Sequence, residues 1–129
     1  MRSSLKTAPQ RLTSTEKALR AYAALVDKRA VDPVLLDMRD ITLITDYFLI
    51  CSGTSNVHIR ALGESVAEGL KEAEIRPAGV EGRAAGRWVL LDYGDLIVHI
   101  FAQEEREFYA LERLWGDALR VASEDSAAT

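Results

Sequence analysis

The stretch Arg87-Trp88-Val89-Leu90-Leu91-Asp92-Tyr93-Gly94-Asp95-Leu96-Ile97-Val98-His99-Ile100-Phe101 decides how this chain is read. Two apolar runs flank Tyr93-Gly94-Asp95. Gly94-Asp95 suits a type II′ hairpin turn, in which glycine supplies the positive φ of the first central position. That register pairs Tyr93 with Leu96, Leu91 with Val98 and Val89 with Ile100. Side chains alternate across a strand, so one face holds Val89, Leu91, Leu96, Val98 and Ile100. The other carries Trp88, Leu90, Asp92, Ile97, His99 and Phe101. The purely aliphatic face belongs on a core; the mixed one points to a different neighbour.

Working outward, residues 47–51 (Tyr47-Phe48-Leu49-Ile50-Cys51) form an apolar run without alternation, which predicts a central strand covered on both faces. Val34-Leu35-Leu36-Asp37-Met38, after Pro33, reads as a short strand, and residues 40–46 as its connection onward. Thr13 and Glu16 make a capping box for a first helix. Ala18, Leu19, Tyr22, Ala23, Leu25 and Val26 recur at helical spacing to about Lys28. Ser52-Gly53-Thr54-Ser55-Asn56 is a turn whose Thr54 or Ser55 caps a second helix. Its stripe is Ala61, Leu62, Val66, Ala67 and Leu70, and it ends near Glu74, before Pro77. Residues 76–86, with three glycines and a proline, read as a flexible loop. A last helix starts near Gln103, with Glu104, Glu105 and Glu107 complementing its dipole. Phe108, Leu111, Leu114, Trp115 and Ala118 form its stripe, and Gly116 lies near its end.

The predicted order is helix, strand, strand, helix, strand, strand, helix. That is an α/β (α+β) domain with a single mixed β-sheet flanked by helices. The domain spans residues 13–119, between a flexible N-terminal segment (1–12) and a flexible tail (120–129).

A length of 129 residues fits one such domain. The single cysteine, Cys51, allows no disulfide within the chain and reads as a buried thiol. A reducing, cytoplasmic location follows. No apolar stretch approaches the roughly 18 residues that would span a membrane, and the N-terminus lacks an apolar signal-peptide core. The net charge of −4 is unevenly placed. Residues 92–117 hold seven acids against two bases, so the remainder carries +1. A phosphate-binding stripe of basic residues is missing, which disfavours nucleic acid as the main partner. A basic protein suits the acidic end better.

Several chemistries can be weighed. Asp92 and Asp95 flank the hairpin tip, where two carboxylates can hold Mg²⁺ with a substrate phosphate; equally, they are turn formers and surface charges. Ser52-Gly53-Thr54 is a partial version of a phosphate-binding turn, without an Asp-x-Asp pair on the strand that follows. Zinc needs more ligands than His58 and His99 offer. No Gly-x-Ser-x-Gly elbow, Walker loop or dinucleotide fingerprint is present. Six of the nine aromatic residues, Trp88, Tyr93, Phe101, Phe108, Tyr109 and Trp115, crowd into 28 positions. They form either core between hairpin and helix or an aromatic patch ringed by acids, of the kind protein interfaces use.

The hairpin sequence quoted above resembles the signature of the ribosomal silencing factors, the Iojap-related family. The likeness continues through Arg106, Tyr109, Leu111-Glu112 and Leu114-Trp115-Gly116-Asp117-Ala118. Upstream it takes in residues 46–55 and Glu81-Gly82, so that it covers about residues 14–119. The resemblance implies a nucleotidyltransferase-like α/β fold without a transferase site. It implies binding to ribosomal protein uL14 on the large ribosomal subunit, a block on small-subunit joining when nutrients are short, and frequent homodimers. No catalytic residue, cofactor or metal is expected. The expected partner-binding residues are Trp88, Asp92, Tyr93, Asp95, His99, Phe101, Arg106, Tyr109 and Glu112. Arg106 either pairs with an acid on the partner or braces the patch from within. The competing expectation is a Mg-dependent nucleotide-binding or nucleotidyltransferase enzyme, with Asp92 and Asp95 on the metal.

Overall fold

A computed structural model of the chain describes residues 12–110 and 119–123. The elements are helix α1 (Ser14–Asp27), strands β1 (Val31–Asp37) and β2 (Tyr47–Gly53), helix α2 (Asn56–Lys71), strands β3 (Gly79–Glu81), β4 (Trp88–Asp92) and β5 (Leu96–Ala102), helix α3 (Gln103–Tyr109) and strand β6 (Leu119–Ser123). Among the described residues they build one mixed sheet in the order β3-β4-β5-β2-β1-β6.

Strand β2 lies in the middle, and each of its seven residues is buried, as an apolar run without alternation predicts. It runs parallel to β5, with Tyr47 level with Leu96. A parallel pair needs a long crossover, and α2 lies within it. The other pairings are antiparallel.

Alternation sorts the sheet into two apolar clusters. On one face Leu35, Leu49, Cys51, Val89, Leu91, Val98 and Ile100 pack under α1 and α2, against Leu25, Leu62 and Leu70. On the other, Val34, Leu36, Met38, Phe48, Ile50 and Phe101 gather with the partly buried Trp88 and Ile97. The capping signals are honoured. Thr13 Oγ1 accepts from the Glu16 N–H at 3.0 Å, and Glu16 Oε1 accepts from the Thr13 N–H at 2.9 Å. Ser55, not Thr54, caps α2, its Oγ accepting from the His58 N–H at 3.0 Å.

The hairpin has the expected register, with Leu91 opposite Val98 and Val89 opposite Ile100. Its tip is tighter than a type II′ turn. The Asp95 N–H donates to the Tyr93 C=O at 3.1 Å, closing a γ-turn around Gly94, whose φ is +84°. The Tyr93 N–H donates to the Leu96 C=O at 2.8 Å.

Four expectations need correction. First, β1 begins at Val31 and runs through Pro33. The strand tolerates proline because the register shifts between Val31 and Val34, where Asp32 adopts a φ of +47°. Second, residues 76–86 are not all loop: Gly79–Glu81 pairs with β4, Val80 opposite Leu91. A three-residue edge strand is held by backbone bonds and is too short to show a periodicity. Third, α3 ends at Tyr109, because Ala110 turns left-handed (φ 49°, ψ 46°) without a glycine to announce the stop. The rest of the predicted stripe, Leu111, Leu114, Trp115 and Ala118, lies outside the described residues. Fourth, the tail expected from residue 120 is in part a strand: β6 pairs antiparallel with β1, a contact no local pattern reveals.

Gly82 closes the turn between β3 and β4 at a φ of +84°, and a Cβ there would lie 1.9 Å from the Trp88 carbonyl oxygen. That oxygen is backbone and cannot step aside. Gly82→Ala is expected to cost about 2 kcal/mol or more and to strip amide-exchange protection from residues 79–81. Unchanged protection there would show that the turn accommodates a side chain.

Candidate docking surface at the hairpin

Among the described residues, the expected partner-binding positions do not form one patch. The strand rise of about 3.3 Å per residue sets the tip end of β5 about 17 Å from Phe101. Asp92, Tyr93 and Asp95 lie at the tip; Trp88, His99, Phe101 and Arg106 lie toward the other end.

At the tip, Asp95 is held from two sides. Its carboxylate accepts from Lys17 Nζ at 2.7 Å, and its C=O accepts the Asp46 and Tyr47 N–H groups at 3.2 and 3.1 Å. Asp92 Oδ1 accepts from the Gly94 N–H at 2.8 Å. Both carboxylates are partly exposed. Tyr93 instead packs its ring into the helix-side core. Burial pushes its phenol up to about 12, and its hydroxyl has no partner among the described residues.

At the far end Trp88 lies 4.8 Å from Phe101, ring centre to ring centre, and His99 sits edge-on to Phe48 at 5.0 Å. Trp88 Nε1 donates to His99 Nδ1 at 3.2 Å. An accepting Nδ1 puts the proton of the neutral ring on Nε2, which is buried without a partner among the described residues. Burial holds His99 down at about 4, so its imidazole is neutral at physiological pH. Phe101 and His99 are 1% and 6% exposed, whereas Trp88 is half-buried. Of this trio only Trp88 offers substantial surface to a rigidly docking partner.

Arg106 takes the inward of its two possible roles. It is buried, and its guanidinium donates to the Val31 C=O (3.0 Å), the Asp32 C=O (2.8 Å) and Ser52 Oγ (3.1 Å). It thereby ties α3 to the ends of β1 and β2. Tyr109 closes α3, but its side chain lies outside the described residues, as does the whole of Glu112.

Two cations missed in the sequence change the charge picture. Arg87 contacts both Glu104 (3.0 Å) and Glu105 (2.6 and 2.9 Å), and holds the Glu105 carboxyl below the usual carboxylate range. Lys17 neutralises Asp95 from a helix 78 residues away in the chain. The acidic run is therefore partly compensated: among the described residues Asp92 at the tip and Glu107 on α3 are its acids without an ion pair. Leu43 and Ile44, exposed beside that tip, are the other residues sequence reading passed over.

The nucleotide chemistry weighed above gains no geometry. Lys17 occupies one of the two carboxylates it would need. Among the described residues no group of three His, Cys, Asp or Glu is placed to hold a metal ion. Burial pushes the Cys51 thiol up to about 12, so it is no nucleophile. No helix among the described residues is long and apolar enough to cross a membrane.

Comparison with known proteins agrees with the hairpin signature. A family model described as "Ribosomal silencing factor during starvation" matches residues 11–129. "Ribosomal silencing factor RsfS" of Bacillus subtilis is 47% identical over 98 residues, 76% of this chain and 83% of the relative. The protein of the same name from Halalkalibacterium halodurans is 43% identical over 104 residues, 81% of this chain and 89% of its own. A crystal structure of a Chromobacterium violaceum protein superposes with a TM-score of 0.79 at 36% identity, covering 81% of this chain and 88% of that one. One from Bacillus halodurans gives 0.71 at 40% identity, covering 78% and 94%. Mouse "Mitochondrial assembly of ribosomal large subunit protein 1" is 38% identical over 74 residues, 55% of this chain and 32% of its own length. With its hairpin register, its mixed sheet and this match over nearly all its length, the chain belongs to the ribosomal silencing factor family.

Proposed function

We propose that this chain is a translational repressor that docks on the large ribosomal subunit through ribosomal protein uL14 and keeps the small subunit from joining under nutrient limitation. The observation that carries the reading is the family match over residues 11–129, together with bacterial relatives named as silencing factors and a mouse relative named for large-subunit assembly. The mechanism needs no covalent step, since a protein seated on the joining face excludes the other subunit by its bulk. Asp92, half-exposed at the hairpin tip and without an ion pair among the described residues, draws a basic ribosomal protein and speeds encounter, with Asp95, paired to Lys17, beside it in the contact set. Trp88 supplies apolar contact. Tyr93, His99 and Phe101 act from beneath the hairpin, and Arg106 from within by tying α3 to the ends of β1 and β2. Tyr109 and Glu112 join the contact set on the strength of the family motif alone. A cytoplasmic location and a homodimer in the free state belong to the same proposal.

The test is direct. The pure protein at micromolar concentration is expected to co-sediment with isolated large subunits, to bind purified uL14, and to slow subunit joining in a reconstituted assay. A protein that neither sediments with large subunits nor slows joining would overturn the reading. Light scattering of the free chain reports the dimer independently.

A further inference from the structure

The connection between β1 and β2 emerges at the same end of the sheet as the hairpin tip, and it is not an ordinary loop. Ile41 is 38% exposed, Ile44 74% and Leu43 fully so. A lone exposed aliphatic such as Val57 is unremarkable. Three large ones within four positions form a patch. The loop is also braced. The Ile41 and Thr42 N–H groups both donate to the Met38 C=O at 3.0 Å, and the Ile44 N–H donates to Thr42 Oγ1 at 3.1 Å. Thr45 is buried, with its hydroxyl on the Tyr47 C=O. The Met38 N–H bonds the Asp46 C=O at 2.8 Å, and the Asp46 N–H bonds the Asp95 C=O at 3.2 Å. The display of Leu43 and Ile44 is therefore built into the backbone and needs little ordering on contact.

We propose that Leu43 and Ile44 form an apolar anchor that enters a pocket on a basic protein surface. The proposal rests on the reading that this chain docks on the large subunit, and it names the anchor of that docking. Charge selects the occupant. Asp40 and Asp46 lie in the loop, and Asp92 and Asp95 on the adjoining tip. Two nearby cations are engaged: Arg39 grips Asp37 at 3.0 and 2.7 Å, and Lys17 holds Asp95 at 2.7 Å. Asp40, Asp46 and Asp92 make no ion pair among the described residues. Such a rim repels the phosphates of RNA and of anionic lipid. Two-fold pairing with a second copy would set the same rim of acids against its own counterpart. A basic protein surface is complementary, and aliphatic centres inside a polar rim are how protein interfaces are built.

The experiment uses the full chain carrying Leu43→Ser and Ile44→Ser together. Both side chains are exposed, so the thermal midpoint should stay within about 2 °C of the parent; should it fall further, Leu43→Ser alone is read instead. Titration with isolated large subunits, read by co-sedimentation, is expected to show binding weakened about tenfold or more. Parent binding should also weaken as salt rises from about 0.05 to about 0.5 M. If the parent sediments and the double variant binds equally well, the anchor is overturned while the docking reading stands. A parent that does not sediment overturns the docking reading and the anchor with it. Salt-independent binding would overturn the basic partner. A parent dimer that the double substitution turns into monomer would reassign the loop to contact between copies, and capture of the parent, not the variant, by anionic vesicles would reassign it to lipid.

Discussion

Arg106→Met is expected to destabilise the protein by about 3 kcal/mol, lowering the thermal midpoint by roughly 10 °C. The substitution keeps the apolar stem and removes the guanidinium fork. It leaves the Val31 and Asp32 carbonyls and the Ser52 hydroxyl without their donor. Hydrogen bonds from a charged donor are worth about 1.5–3 kcal/mol each, but the variant is also relieved of burying a charge. The net figure therefore falls well short of the sum. Asp32 sits at a φ of +47°, a conformation that costs energy and persists only where its surroundings enforce it. The loss should accordingly be felt first as faster amide exchange across residues 31–33. Arg106→Lys, with a single point charge in place of the fork, should recover only part of the loss. Denaturant unfolding measures both variants. A cost below about 1 kcal/mol for the methionine variant would mean that the strand ends do not depend on Arg106.

Acid lability traced to His99 is the second large effect. Burial holds His99 at about 4 in the folded chain, against 6.5 for the free group. Above pH 6.5 both folded and unfolded chains carry a neutral imidazole, and the residue contributes no pH dependence. As pH falls from 6.5 toward 4 the unfolded chain takes up a proton that the folded chain refuses. Stability therefore falls through that window by about 1.4 kcal/mol per pH unit, about 3 kcal/mol in all. Below pH 4 both states are protonated and the loss levels off. Carboxyls such as Asp37 and Glu105, held low by Arg39 and Arg87, lose their own contributions at still lower pH. Those losses are common to parent and variant, so the difference between parent and His99→Leu isolates the histidine. The variant should show a flatter stability profile between pH 6.5 and 4. Parallel profiles for the two proteins would remove His99 as the cause.

The hairpin was legible in the sequence because its information is local. Period-two alternation assigned the faces, and Gly94 marked the tip; neither needs a distant partner. The capping box at Thr13 and the buried run of β2 are readable for the same reason. What the sequence by itself determined, then, is the kind of each main element, the two faces of the hairpin and, through its long ordered motif, the family. The tertiary structure decided the rest, because the rest depends on contacts between residues far apart in the chain. Edge strands β3 and β6 exist through backbone pairing with β4 and β1, which leaves no mark on their own side chains. Burial of His99, Phe101 and Arg106 depends on what packs above them, so alternation names their face without saying whether that face is open. Lys17 and Arg87 cancel acids 78 and 17–18 residues away, which no charge count along the chain can show. Leu43 and Ile44 read as filler in a connection until the braced backbone of the loop holds them out into solvent beside the acidic tip.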